Sequence, residues 1–153
     1  MKIIDGDLLN SECNHIAHCA NCFHTFGAGI ARQIREQYPE AYDADLNTKK
    51  GDINKLGQFT CAESSGKFIY NLYGQYSFGS GKRLMEDKLE IALVHLKNHL
   101  CTKRIDGDSN IILGFPWKIG CCLAGGNFSI VRPMVEGIFK EVGFPVYWVK
   151  YTS

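Results

Sequence analysis

Two glycine-rich segments constrain this chain more than anything else in it: Gly27-Ala28-Gly29 and Gly120-Cys121-Cys122-Leu123-Ala124-Gly125-Gly126. Each follows an apolar run of strand character and precedes residues at helical spacing. Upstream of the first, His15 to Ala20 reads as a buried strand, and downstream Ile30, Ala31, Ile34 and Tyr38 mark a helix. Upstream of the second, Asn110 to Phe115 is the clearest buried strand, and Ile130, Met134, Ile138 and Val142 follow at helical intervals. A loop that leaves a strand and opens a helix presents unpaired backbone N–H groups at the positive end of the helix dipole. Glycine lets such a backbone approach a phosphate closely and adopt positive φ. Two such loops in one small α/β unit can hold a diphosphate without any lysine.

The rest of the chain completes an alternating pattern. Lys2 to Asp5 reads as a first strand, and Pro39 ends one helix or opens the next, which covers Glu40 to Leu46. Gly57 to Glu63 and Lys67 to Tyr73 read as two strands joined at Ser64-Ser65-Gly66. Met85, Leu89, Leu93, Leu96 and Leu100 share one face of a long helix. Pro133 predicts a kink or a late start in the last helix, and Pro145 to Tyr151 is the final strand. Strands alternating with helices predict a mixed sheet covered on both faces. A chain of 153 residues without repeat or linker reads as one domain, 1–153.

Charge excludes a broad class of partners. Seventeen basic residues against sixteen acidic ones leave a net charge of +1, with no general attraction for nucleic acid or anionic membrane. Asp5 and Asp7 interrupt the N-terminus before an apolar signal core could form. Seven cysteines, an odd number in a chain large enough to fold without cross-links, fit reduced thiols. The expected protein is a cytoplasmic monomer.

Neither glycine loop is a Walker motif, and the first lacks the third glycine of a Rossmann fingerprint. The order and spacing of several blocks instead resemble a macro domain over nearly the whole chain. These blocks are Gly6-Asp7-Leu8, His18-Cys19-Ala20-Asn21-Cys22, Gly27-Ala28-Gly29-Ile30-Ala31, Ser77-Phe78-Gly79 and Ile119 to Gly126. The resemblance is to the small single-domain ADP-ribose 1''-phosphate phosphatase type, and to the terminal ADP-ribose glycohydrolase branch. It implies a three-layer α/β/α domain with a central mixed β-sheet.

The resemblance also implies roles. Asp7 would accept a hydrogen bond from the adenine amino group, with Leu8 beside the ring; Asp7 also suits the cap of a turn after Gly6. Asn21 would sit at the distal ribose. Gly27, Gly29 and Ile30 would form the first diphosphate loop, and Gly120, Cys121, Cys122 and Leu123 the second. Cys122 stands where relatives often carry glycine, which would narrow the second loop. Phe78 would pack on the distal ribose or line the cleft, or simply anchor its loop, and Phe128 would do likewise or belong to the core.

For chemistry, the implied reaction is hydrolysis of ADP-ribose 1''-phosphate to ADP-ribose and phosphate. His18 or His24 would move the proton, Asn21 would lie beside the reacting phosphate, and loop amides would stabilise the negative charge. No metal or cofactor is required. His15 reads as structural, and nothing ties His95 or His99 to the site. The lysine nucleophile of the glycohydrolase branch has no counterpart in Tyr73-Gly74-Gln75-Tyr76, unless Lys82 reaches in. Its second-loop aspartate has none in Leu123-Ala124-Gly125. The rivals are a reader of ADP-ribose or of an ADP-ribosylated protein without turnover, and a hydrolase of acyl- or protein-linked ADP-ribose. A metal or redox protein is a further rival, built on Cys13, Cys19, Cys22, His18 and His24. The only C-x-x-C, Cys19 to Cys22, opens no helix directly, and structural zinc usually needs a second pair.

Overall fold

A computed structural model describes residues 1–79, 81–121 and 124–152. In chain order the elements are β1 (Lys2–Gly6), β2 (His15–Ala20), α1 (Gly29–Gln37), α2 (Pro39–Leu46), β3 (Phe59–Ser64) and β4 (Lys67–Tyr73). They continue with α3 (Glu86–Ile105), β5 (Leu113–Pro116), α4 (Phe128–Ile138) and β6 (Val146–Tyr151). The strands form one sheet in the order β1-β6-β5-β2-β4-β3. All neighbours are parallel except β3, which returns antiparallel to β4 through the tight turn at Ser65 and Gly66.

Side-chain alternation along the strands builds two cores, one on each face. On β2, Ile16 and Ala20 join Ile34 of α1 and Ala41 of α2, whereas Ala17 points to the opposite cluster with Leu93 of α3 and Val131 of α4. The same parity holds on β6, where Trp148 and Val149 enter different clusters. Leu89, Ala92, Leu93, Leu96 and Leu100 of α3 are fully buried, as their spacing predicts. Gly114 keeps β5 close to its surroundings: a Cβ there would lie 2.6 Å from Leu8 Cδ1 and 2.7 Å from Cys13 Sγ.

Several boundaries differ from the expectation, β3 by running from Phe59 to Ser64 in place of Gly57 to Glu63, and three of the differences have a clear physical reason. β5 starts at Leu113, not Asn110, because Asn14 takes the place of a strand partner: its Oδ1 accepts from Ile112 N at 2.8 Å and its Nδ2 donates to Asn110 O at 2.5 Å. Helix α4 neither starts late nor reaches Val142. Asn127 caps it, accepting from Ser129 N at 3.0 Å, and Pro133 lies inside, so the proline costs only one internal hydrogen bond. Met85 precedes α3 and packs against the α1/α2 side, apart from the leucine stripe. Among the described residues no helix is long and apolar enough to cross a membrane.

Candidate ligand-binding cleft

The two glycine loops leave neighbouring parallel strands for opposite faces of the sheet. After β2 the chain enters α1, which packs on one face, and after β5 it enters α4, which packs on the other. A crevice opens where neighbouring strands diverge in this way, outside their carboxyl ends. Here it is a cleft of about 640 Å³. One wall is Asn21 with Thr25 to Ala31, the other is Pro116 to Gly120 with Ala124, and Cys19, Gln75 and Phe78 complete it.

The first wall is held in an uncommon backbone conformation. His24 and Phe26 have φ of 61° and 31°, and on the opposite wall Lys118 has φ of 61°. The remaining described non-glycine residue with positive φ is Ser65, in the β3–β4 turn. Backbone strain gathered on both walls is characteristic of functional clefts. Asn21 braces its loop from within, donating through Nδ2 to Thr25 Oγ1 at 2.6 Å and accepting at Oδ1 from Phe23 N at 2.8 Å. Gly29, Ile30 and Ala31 form the first turn of α1, and Ala28 before them offers no side-chain acceptor for their amides.

The second wall is fastened to the segment before α3. Ala124 O accepts from both Arg83 N at 2.7 Å and Leu84 N at 3.0 Å. Gly120, at φ of 70°, and Gly126 both pack on the Leu84 side chain, which would lie 2.8 Å and 2.2 Å from a Cβ at those positions. Phe78 stands at the cleft mouth and is 54% exposed.

The expected residues divide. Asn21, Gly27, Gly29, Ile30, Phe78 and Gly120 line the cleft. Cys121 is half-buried beside Gly120, and Cys122 and Leu123 lie outside the described residues. Asp7 does cap the turn Leu8–Asn10, accepting from Leu9 N at 3.2 Å, and it borders a separate hollow of about 280 Å³ with Gln33, Glu36, Gln37 and Tyr151. Leu8 is core, packed in the cluster of Cys13 and Val149. Phe128 is half-buried and packs edge-on against Trp117 and Trp148 at the margin of the α3/α4 core.

The histidines do not line the cleft. His18 is fully buried behind the first wall, with Nε2 2.7 Å from Asn71 Oδ1 and its ring edge-on to Phe26. Burial drives its pKa down to about 4, so it is neutral near pH 7. The alternation of β2 explains the displacement: His18 shares the parity of Ile16 and points at the α1/α2 core. His24 faces away, its Nε2 3.1 Å from Thr48 Oγ1, while its carbonyl accepts from Tyr42 Oη at 2.7 Å. Lys82 pairs with Glu86 at 2.9 Å and does not reach the cleft. His15 is buried between Phe68 and Tyr70, as a structural residue would be.

Cys19 does reach the cleft, but burial pushes its thiol up to about 12, so it stays protonated. Among the described residues no three His, Cys, Asp or Glu side chains gather as metal ligands. Sequence reasoning missed Thr25, Gln75, Trp117 and Lys118. Trp117 could have been suspected from its place after β5, where loops of a parallel sheet meet ligands.

No family model matches the sequence. The chain is 40% identical over 149 residues to an uncharacterised 17.5 kDa protein of the tk-vs intergenic region of Enterobacteria phage T4, covering 89% of this chain and 88% of the phage protein. It belongs to the same family as that protein. Among solved structures it is similar to the macrodomain of Mycobacterium tuberculosis DarG, with a TM-score of 0.74, 20% identity, and 99% and 97% of the two chains covered.

The fold is that of a macrodomain. Thermosipho africanus DarTG, solved in complex with ADP-ribose, matches with a TM-score of 0.71 and 17% identity over 96% of this chain and 40% of that one. In this chain the mixed sheet of six strands lies between α1/α2 and α3/α4, the three-layer arrangement that the resemblance implied.

Proposed function

We propose that this macrodomain binds ADP-ribose or a close derivative in the cleft between its two glycine loops. One observation carries the reading. Two strand-to-helix loops from adjacent parallel strands converge on one cleft, and none of its described lining residues is an aspartate or glutamate. A diphosphate then meets backbone amides and an uncapped helix start without a repelling carboxylate. The volume of about 640 Å³ suits a ligand of this size. The ADP-ribose complex of the Thermosipho protein of the same fold supports the assignment. In this reading Asp7, which borders the separate hollow beside Gln33 and Glu36 of α1, selects the adenine, and Asn21 meets the distal ribose. The partner is this small molecule, free or carried on an ADP-ribosylated protein.

Hydrolysis of ADP-ribose 1''-phosphate is the second reading, and the position of Asn21 favours it. Its side chain lies in the cleft with Thr25 Oγ1 as neighbour, where an amide can orient a water against the distal phosphate. Neither His18 nor His24 is its base. The first test is calorimetric titration with ADP-ribose: saturable binding supports the reading, and folded protein without affinity ends it. The second is phosphate release from ADP-ribose 1''-phosphate. Release that disappears in Asn21→Ala and survives in His24→Ala supports turnover, and no release above the Asn21→Ala background leaves a binder alone.

A further inference from the structure

Among the described residues that line the cleft, Lys118 is the one with a formal charge. It is exposed, and no hydrogen bond or ion pair involving its side chain occurs among the described residues. Its backbone is left-handed, with φ of 61°, at a position where glycine would sit without strain. The turn that imposes this is closed on both sides: Ile119 N donates to Pro116 O at 3.0 Å, and Cys121 N donates to Lys118 O at 2.8 Å. The turn directly joins β5 to the second glycine loop. Its neighbour Trp117 is flanked by two further cations, with Arg132 and Lys150 at 5.1 Å and 5.8 Å from its ring centroid. Arg132 is already paired with Glu136 at 3.2 Å. Neither Arg132 nor Lys150 lines the cleft, so among the described residues Lys118 is the cation available to it.

We infer that Lys118 contacts the phosphate charge of the ligand, and that the fold tolerates a strained backbone at this position in order to present it. A lysine without partner, on the wall of an anion-binding cleft, gains a charge-assisted hydrogen bond only when the ligand arrives. Strain retained at such a position is a stability–function trade. The two glycine loops then supply shape and amide donors, and Lys118 supplies discrimination for the charged form of the ligand.

This inference rests on the ADP-ribose reading, and its test separates the two. Wild type, Lys118→Met, Lys118→Arg and Lys118→Gly are titrated calorimetrically with ADP-ribose at low and high NaCl, and their melting temperatures are measured without ligand. Wild-type affinity should fall with salt, as an exposed charge contact requires. Lys118→Met should bind about tenfold more weakly with a flatter salt dependence, and Lys118→Arg should recover most of the loss. Lys118→Gly should bind as weakly as Lys118→Met yet melt about 2–4 °C higher than wild type, through relief of the left-handed strain. Lys118→Met binding within twofold of wild type at both salt concentrations overturns the inference, as does a Lys118→Gly protein that melts no higher than wild type. A parallel titration uses inorganic pyrophosphate. Wild type that binds pyrophosphate but not ADP-ribose, with that binding lost in Lys118→Met, keeps the role of Lys118 and removes the nucleotide reading. Wild type that binds neither removes both.

Discussion

Nε2 of His18 lies 2.7 Å from Oδ1 of Asn71, and both side chains are fully buried. Asn71 Nδ2 donates to Ala41 O at 2.9 Å and to Thr60 Oγ1 at 3.0 Å, so its oxygen must accept and Nε2 must carry the proton. The chain of bonds runs on from Thr60 to Tyr73 at 2.9 Å and from Tyr73 to Asp45 at 2.6 Å. His18 thus joins strands β2, β3 and β4 and helix α2, and its ring supports Phe26 of the first cleft wall. A histidine that resembles a catalytic one in sequence is here a beam beneath the loop.

Replacing it should cost stability before it costs chemistry. His18→Ala is expected to destabilise the fold by about 2–4 kcal/mol, through the lost bond, an unsatisfied Asn71 oxygen and a cavity under Phe26. Urea denaturation checks the magnitude. A variant with wild-type stability would contradict the role.

Acid should unfold the protein through its buried histidines. Burial pushes the folded pKa values of His18 and His15 down to about 4, from the ordinary histidine value of about 6.5. The folded state therefore favours the neutral rings. Their contribution is fully present above pH 6.5 and is lost as pH falls from 6.5 through about 4, on the order of 3 kcal/mol each. Denaturation midpoints between pH 7 and pH 4 should fall steeply. In a His15→Phe variant, which leaves the stacking on Phe68 in place, the slope should be about halved.

Asp7 caps the Leu8–Asn10 turn and is proposed to contact the adenine, and two substitutions separate these roles. Asparagine caps as well as aspartate does, so Asp7→Asn should leave stability within about 0.5 kcal/mol while weakening ADP-ribose binding. Asp7→Ala should lose both, with roughly 1 kcal/mol from the missing cap. Equal affinity in Asp7→Asn and wild type would remove the carboxylate from ligand recognition.

Gly126 offers no room for a side chain. A Cβ there would lie 2.2 Å from Leu84 Cδ2 and 2.7 Å from Gly120 O. Gly126→Ala should destabilise by about 1–3 kcal/mol and reduce ligand affinity, since the backbone of the second wall must shift. Adding Leu84→Ala should not restore binding, because the clash with the Gly120 carbonyl remains. A double-mutant cycle on thermal stability and ADP-ribose affinity measures this.

The fold and the cleft differ in how much of them a reader of the residues can foresee. Strand and helix periods placed β2, β4 and α3 closely, because burial on one or both faces imposes those periods directly on Ile16, Ile69 and the Leu89 to Leu100 stripe. The glycine loops were also legible, since close approach and left-handed φ restrict residue type at Gly29 and Gly120. Side-chain direction was not. Whether His18 or Cys19 turns to the cleft depends on strand parity relative to two cores, and the core assignment comes only from the packed sheet. Lys118 was missed for a related reason: it occupies a conformation better suited to glycine, so composition gives no hint that the turn exists.

The shared acceptor at Ala124 has a practical corollary. Because Arg83 N and Leu84 N both end on that one carbonyl, the residues leading into α3 are fastened to Ala124 on the second wall. A displacement of Ala124 is therefore passed to the start of α3, so a graft of the second wall from another protein of this fold should carry Arg83 and Leu84 with it.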